Sequence, residues 1–115
     1  MSYDVYLTKT LQKSVKLLKK KFPNVKKDLF HIIKNLEEDP GIGNPIPGWN
    51  KEIWKVRCAS TDIKRGKSGA FRTIYLWKSR HSKVYLLFTY FKGDKTDISK
   101  NEIEDILKKL TQELS

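Results

Sequence analysis

The sequence predicts an α+β domain in which a short antiparallel β-sheet packs against an N-terminal helical hairpin, in the order β-α-α-β-β-β-α. Two segments near the N-terminus carry apolar residues at helical spacing, three later segments have the composition of strands, and a capping motif opens a last helix. The 115 residues are the usual length of one domain, so we expect a single domain over residues 1–115.

The first half of the chain is predicted to be mainly helical. Residues 3–7 alternate and favour the β conformation, so they predict a short strand. A first helix begins near Thr10 and ends before Pro23, and a second ends near Pro40. The apolar stripes of the two helices are Leu11, Val15, Leu18 and Phe22, then Val25, Leu29, Ile32, Ile33 and Leu36. Residues 40–50 are rich in proline and glycine, which predicts a loop.

The second half predicts the sheet and the last helix. The strands are Ile53–Ala59, Ala70–Trp77 and Val84–Phe91, and the nearly continuous apolar character of the third is typical of a central strand covered on both sides. Ser99 and Glu102 form a capping box. The helix that follows carries an apolar side made of Ile103, Ile106, Leu107, Leu110 and Leu114.

Charge is the strongest compositional signal. Lysine and arginine number 24 against 13 acidic residues, which gives a net charge of +11 and favours polyanions: nucleic acid, an acidic protein or an anionic membrane. The longest apolar run, residues 84–91, is too short for a bilayer span of about 20 residues, and no signal peptide is recognisable. With Cys58 the only cysteine, the pattern predicts a cytoplasmic protein.

Basic residues concentrate on two strands and the loop between them. They are Lys55, Arg57, Lys64, Arg65, Lys67 and Arg72, with Asp62 the only acid among them. Arg57 and Arg72 lie on adjacent predicted strands, where a shared face would direct both guanidinium groups at one phosphate. Tyr90 and Lys92 have the same parity on the last strand and point to one side, and Lys95 follows.

Other residues have simpler interpretations. Trp49, Trp54 and Trp77 are more typical of core packing than of base stacking, and Cys58 alternates with apolar neighbours, which predicts a buried thiol. Tyr90 is equally compatible with a half-buried sheet position. His31 and His81 fall outside the basic region, and no spacing of cysteine, histidine or aspartate predicts a metal site, so no cofactor is expected.

Three runs together resemble the RelE/HigB toxin family over about residues 39–110. They are Ile53 to Arg57, Gly66 to Tyr75 and Val84 to Ser99, which are similar to the family's "K-x-R", "GKSGGFRxIY" and "YLLxxYxKxxKxDIS" strands in order and spacing. The sequence departs from the pattern at Ala70, where the family often has a second glycine.

The resemblance implies a toxin of a type II toxin–antitoxin pair that cleaves mRNA on the ribosome. We expect the reaction to need no metal ion and to leave a 2′,3′-cyclic phosphate. Arg57 and Arg72 would stabilise charge on the phosphorus. Lys92 or a lysine of the loop, Lys64 or Lys67, would accept the 2′-proton, with Tyr90 stacking on a base or helping proton transfer. The residues expected to bind RNA are Lys55, Lys64, Arg65, Lys67 and Lys95.

Two other functions stay open at this stage: a gyrase inhibitor like the ParE toxins, and an inactive relative that binds only RNA or antitoxin. The expected partners are a small acidic or helix-turn-helix antitoxin, the ribosome and mRNA. The antitoxin would cover the basic face or displace the C-terminal helix from the sheet.

Overall fold

The computed structural model describes residues 2–63 and 70–115. Its strands are β1 (Asp4–Leu7), β2 (Asn44–Pro45), β3 (Ile53–Cys58), β4 (Phe71–Lys78) and β5 (Lys83–Phe91). Its helices are α1 (Lys9–Lys19), α2 (Val25–Glu38) and α3 (Lys100–Leu114). None of the helices in the two described ranges is long and apolar enough to span a bilayer.

The α+β class is confirmed, and the sheet is mixed rather than wholly antiparallel. Its strand order is β1-β5-β4-β3-β2, and β1 runs parallel to β5 while the other pairs are antiparallel. A crossover of two helices connects β1 to the rest of the sheet, which permits the parallel pairing. The two-residue strand β2 lies in the predicted loop and pairs with Trp54 and Lys55 of β3.

Helices cover the two faces of the sheet. The hairpin of α1 and α2 packs on one face, where Leu11, Val15, Leu29 and Leu36 join the inward side chains of β3 to β5. Helix α3 packs on the other face through Ile103, Ile106 and Leu110. Strand β5 lies inside the sheet, between β1 and β4, and its covering on both faces, as predicted, explains its nearly unbroken apolar run.

The termini of the helices follow local sequence signals. Thr8 caps α1 by accepting a hydrogen bond from the Leu11 N–H at 3.1 Å. The predicted capping box of α3 is present, with Ser99 and Glu102 bonding each other's backbone amides. Helix α2 is capped from outside itself, because Asp62 accepts hydrogen bonds from the backbone and side-chain nitrogens of Asn24 at 2.9 and 2.8 Å.

A β-bulge in β5 sets which side chains share a face. Tyr75 pairs with Leu86 but Ile74 pairs with Phe88, so Leu87 is an extra residue on β5. Before the bulge Leu86 faces the hairpin, and after it Tyr90 faces α3. The phenol of Tyr90 therefore lies on the same face as Arg72, with which it is paired in register.

Candidate functional site

Arg57 and Arg72 lie directly opposite each other on β3 and β4. Residues opposite each other in an antiparallel pair point to the same face, with Cβ atoms about 5 Å apart. Tyr90 is the partner of Arg72 on the next strand, and Lys55 lies two residues before Arg57 on the same face. We call these four residues, Lys55, Arg57, Arg72 and Tyr90, the arginine cluster.

Two cations facing each other across a strand pair repel, which lowers stability unless an anion compensates them. Arg57 is exposed, and among residues 2–63 and 70–115 no carboxylate forms an ion pair with it. Arg72 is only 8% exposed, and its guanidinium donates a hydrogen bond to the Phe71 carbonyl at 3.2 Å. The cluster thus combines one accessible and one covered guanidinium on a single surface.

Tyr90 is 5% exposed, and its hydroxyl has no hydrogen-bond partner within the described part of the chain. Burial raises the pKa of Tyr90, and the carboxylates of Asp97 and Glu102 raise it further, while Arg72 opposes them. The phenol is therefore protonated at neutral pH. A buried hydroxyl without a partner costs about 1–3 kcal/mol, so among the described residues the Tyr90 hydroxyl makes no hydrogen bond that stabilises the fold.

The connection between β5 and α3, residues 92–99, packs against the arginine cluster. Its Asp97 forms an ion pair with Lys55, with 3.4 Å between Nζ and Oδ1, and Ile98 belongs to the same apolar cluster as Tyr90. Lys95 in this connection forms an ion pair with Glu102 at the start of α3. Two of the predicted RNA-binding lysines, Lys55 and Lys95, are thus paired with carboxylates in this structure.

Two carboxylates that the sequence analysis did not assign to the site, Asp97 and Glu102, border the cluster. The N–H of Ile98 and the charge of Lys55 lower the pKa of Asp97, and the hydrogen bond from Lys95 is the main cause of the lowered pKa of Glu102. Asp62, the acid that the sequence placed among the basic residues, instead caps α2. The one sequence signal that could have revealed these carboxylates is the Ser99–Glu102 capping box, because it fixes where the chain turns back toward the sheet.

The other predicted site residues are placed as follows. Lys92 is exposed in the turn after β5, where its backbone N–H bonds the Ala70 carbonyl at 2.9 Å. Lys64, Arg65 and Lys67 lie outside the described residues. The Cys58 thiol is buried as predicted, and burial raises its pKa to about 12. Among the described residues, no group of three histidine, cysteine or acidic side chains could hold a metal ion.

The architecture matches that of solved toxin structures. A chain of the toxin–antitoxin complex RelBE2 from Mycobacterium tuberculosis aligns with a TM-score of 0.62 over 79% of this chain and 99% of its own length, at 18% identity. The E. coli toxin RelE, in the free state of an arginine double mutant, aligns with a TM-score of 0.57 over 84% of this chain and 90% of its own, at 16% identity. This chain has the RelE fold.

The likeness is one of fold, since fewer than one residue in five is identical. No protein-family model and no curated protein matches the sequence. The three runs that resemble the family supply residues 53–57 of β3, 71–75 of β4 and 84–91 of β5, the three adjacent strands that carry the arginine cluster.

Proposed function

We propose that this protein is the toxin of a type II toxin–antitoxin pair and that it cleaves mRNA at the arginine cluster. The observation that carries the proposal is the direct pairing of Arg57 with Arg72 on one face, with Tyr90 beside Arg72. A phosphodiester held between the two guanidinium groups would receive bidentate hydrogen bonds from them. The RelE fold supports this assignment.

The reaction is an intramolecular transfer. The RNA 2′-oxygen attacks the adjacent phosphorus, the bond from phosphorus to the 5′-oxygen breaks, and the products are a 2′,3′-cyclic phosphate and a 5′-hydroxyl. Arg57 and Arg72 stabilise the added negative charge on the phosphorane. A base takes the 2′-proton, and Lys92 or a lysine of the loop fills this role.

Tyr90 is better suited to giving a proton than to accepting one. Because burial and nearby carboxylates raise its pKa, the phenol stays protonated at neutral pH. We assign it to protonate the leaving 5′-oxygen, or to donate a hydrogen bond to it, rather than to act as base. This assignment also gives the unpartnered hydroxyl an acceptor when RNA is bound.

RNA must uncover the cluster before it can reach Arg72 and Tyr90. The pair between Lys55 and Asp97 is half exposed, and such pairs contribute little to stability. A phosphate that takes the place of Asp97 on Lys55 would release residues 92–99 from the sheet. Lys55 and Lys95, which bind carboxylates here, then bind the RNA backbone. We place this exchange on the ribosome, where mRNA is held in an extended form.

An antitoxin is the second proposed partner. A groove of about 770 Å³ lies between α1 and α2, and Phe30 at its edge is 55% exposed. Its floor is apolar, no carboxylate lines it, and five lysines border it: Lys9, Lys13, Lys16, Lys19 and Lys26. Apolar side chains flanked by acids on an amphipathic segment would complement this groove, and RelBE2, which shares the fold, is a toxin–antitoxin complex.

The deciding experiment is translation in a cell extract with primer-extension mapping of the mRNA, with and without ribosomes. We expect cuts from the intact protein, and a loss of about 100-fold in cleavage rate for Arg57→Ala and for Arg72→Ala. Arg57→Lys tests the forked geometry, because it keeps the charge but removes bidentate bonding. Lys108→Ala, at an exposed position of α3, is the control that should cleave normally.

If the protein inhibits the supercoiling activity of DNA gyrase and does not cleave RNA, the proposal is overturned in favour of a ParE-like activity. A loss smaller than threefold for Arg57→Ala and Arg72→Ala, in variants shown to be folded, would remove the cluster from the reaction.

The partner is tested with the product of the adjacent reading frame. We expect Phe30→Asp to weaken that complex by about tenfold or more and Phe30→Leu to leave it nearly unchanged, because the floor and rim of the groove complement an acidic amphipathic segment. Equal affinities for both variants would place the antitoxin elsewhere.

A further inference from the structure

A second cleft lies at the other end of β4 from the arginine cluster. Arg72 is near the start of the strand and Trp77 near its end, a separation of about 17 Å for five residues at strand spacing. The cleft has a volume of about 660 Å³ and is bounded by the turn before β3 and the turn between β4 and β5. It shares no residue with the arginine cluster.

Two indole rings form part of its wall. Trp54 and Trp77 meet edge to face, with ring centroids 5.3 Å apart. The Trp54 N–H donates a hydrogen bond to the Lys51 carbonyl at 2.7 Å, which fixes the ring, and its face stacks toward Tyr75 with centroids 6.3 Å apart. Both indoles are half-buried, so each contributes to packing while part of its surface borders the cleft. The aromatic wall is preorganised.

Cations border the indoles. Lys51, Lys78, Arg80 and His81 line the cleft, and Glu52 is the only carboxylate among the lining residues. Glu52 is already paired with Lys78 at 3.1 Å. The positive charges of Lys51 and Arg80 have no ion-pair partner among the described residues, so the cleft presents an aromatic wall with a net positive rim.

The turn that supplies Lys51 is held in an unusual backbone conformation. Asn50 and Lys51 have φ of 52° and 58°, in the left-handed region that favours glycine and asparagine. Asparagine tolerates this conformation, whereas lysine adopts it at a cost. Lys51 therefore lines the cleft from a backbone position that glycine would adopt without this cost.

From this cleft we infer a binding site for a nucleotide unit, in which a base lies against Trp54 and Trp77 and its phosphate contacts Lys51 and Arg80. A planar ring next to an anion is the ligand that satisfies both halves of the site, since bases stack on aromatic side chains and basic residues bind their phosphates. An acidic peptide would engage the rim but leave the indoles unused. The nucleotide is either free or part of an RNA strand, and in the second case the inference builds on the proposed function by adding an RNA contact remote from the cleavage site.

The test uses the three indole N–H signals of the full chain in ¹H–¹⁵N NMR spectra. The probes are AMP and a 2′-O-methyl hexauridylate, which has no free 2′-hydroxyl and resists cleavage. We expect the signals of Trp54 and Trp77 to shift with saturation and that of Trp49 to stay in place, because Trp49 packs with the residues on the α3 side of the sheet. If only the hexamer shifts these signals, the ligand is an RNA strand. If both probes shift them, a single nucleotide is enough for binding.

Two variants localise the site without disturbing the core. Lys51→Gly removes a charge at a position where glycine suits the backbone, so the melting temperature should be unchanged or higher while the Kd for the probe rises about threefold. Arg80→Ala should have a similar effect on Kd, and each should reduce the salt dependence of binding by about one phosphate contact. Lys27→Ala, exposed on α2, is the matched control.

Two outcomes of the NMR experiment would overturn the inference. Equal shifts with hexaglutamate or ribose 5-phosphate would show attraction of anions without stacking, and unmoved Trp54 and Trp77 signals would show no binding. Arg57→Ala separates the two sites: it should lower the cleavage rate by about 100-fold but leave these shifts intact. Loss of the shifts in Arg57→Ala would assign the RNA contact to the arginine cluster alone, and cleavage without any indole shift would preserve the proposed function while removing this site.

Discussion

The two faces of the sheet differ in how well their buried polar groups are hydrogen-bonded. Under the helical hairpin, the hydroxyls of Thr73 and Thr89 bond each other at 2.9 Å, and Ser14 accepts from the Thr89 N–H at 3.1 Å while donating to the Leu11 carbonyl at 2.7 Å. Asp28 accepts from the Thr61 N–H at 3.0 Å. The Trp77 N–H is the exception on this side within the described residues.

On the α3 face, two cationic side chains, Arg57 and Arg72, lie opposite each other in register, and the Tyr90 hydroxyl beside them is buried without a hydrogen-bond partner in the described ranges. The hairpin face thus satisfies most of its buried polar groups locally, whereas the α3 face brings two cations and a buried hydroxyl together. Local conflicts of this kind are expected at functional sites.

The largest effect should come from the apolar layer of the hairpin face. Phe71 is fully buried, and its ring meets Phe22 at 5.0 Å and Phe91 at 6.3 Å between centroids. Phe71→Ala should lower the free energy of unfolding by about 3–5 kcal/mol, as measured by urea denaturation. Lys78→Ala, at an exposed position of the same strand, should change it by less than about 1 kcal/mol. Similar values for the two variants would contradict this view of the layer.

A smaller loss should follow from breaking the polar network on that face. Ser14→Ala leaves the buried Thr89 N–H without its acceptor, which should cost about 1–3 kcal/mol in the free energy of unfolding. Ser79→Ala, in the exposed turn after β4, is the control and should have almost no effect. A neutral Ser14→Ala would show that another group can replace the hydroxyl.

The connection over the arginine cluster should make stability depend on acid pH. The folded-state pKa values of Asp97 and Glu102 lie below their usual values of 3.8 and 4.5. Above these values the two carboxylates therefore contribute fully to the free energy of unfolding. The contribution is lost as the pH falls through the lower, folded-state values, because the unfolded chain takes up protons at higher pH than the folded one. The double variant Asp97→Asn with Glu102→Gln should make the free energy of unfolding less dependent on pH in that range, whereas the control Glu104→Gln should not. An unchanged slope in the double variant would contradict a stabilising role of the two ion pairs.

Tyr90→Phe should have the smallest effect on folding and a clear effect on activity. Removing a buried hydroxyl that lacks a partner should leave the free energy of unfolding unchanged or raise it. Cleavage should fall by about 100-fold if the phenol donates to the leaving oxygen. Tyr85→Phe, on the same strand and face, controls for the loss of a phenol, and a normal cleavage rate in Tyr90→Phe would assign Tyr90 to packing alone.

The sequence predicted the parts of this molecule that depend on short-range patterns. Alternation in β3 placed Lys55 and Arg57 together and Cys58 on the opposite side, and the spacing of Ser99 and Glu102 located the start of α3. The short strand β2 was missed because Asn44 and Pro45 are turn formers, and they pair only because the chain passes next to β3. The parallel pairing of β1 with β5 also depends on contacts between distant segments.

The site was predicted less completely than the fold. Periodicity shows which residues share a face, but it does not show that residues 92–99 return over that face and bring Asp97 to Lys55. Through that return Ile98 joins the apolar cluster that buries Tyr90. The sequence predicted that the tryptophans pack in the core, and Trp54 and Trp77 do so with part of each ring. The cleft beside these two rings depends on two turns that no local pattern specifies.

The extra residue at Leu87 has a consequence for how this surface could arise or be lost. Leu86 and Tyr90 are separated by an even number of positions yet project in opposite directions, because the bulge takes up one residue between them. If β5 lost the bulge and shifted by one residue in register beyond Leu86, the phenol would turn toward the helical hairpin. Such a chain would keep its whole composition and charge, yet it would separate the phenol from the two guanidinium groups. Deletion of Leu87, by contrast, would leave Tyr90 opposite Arg72.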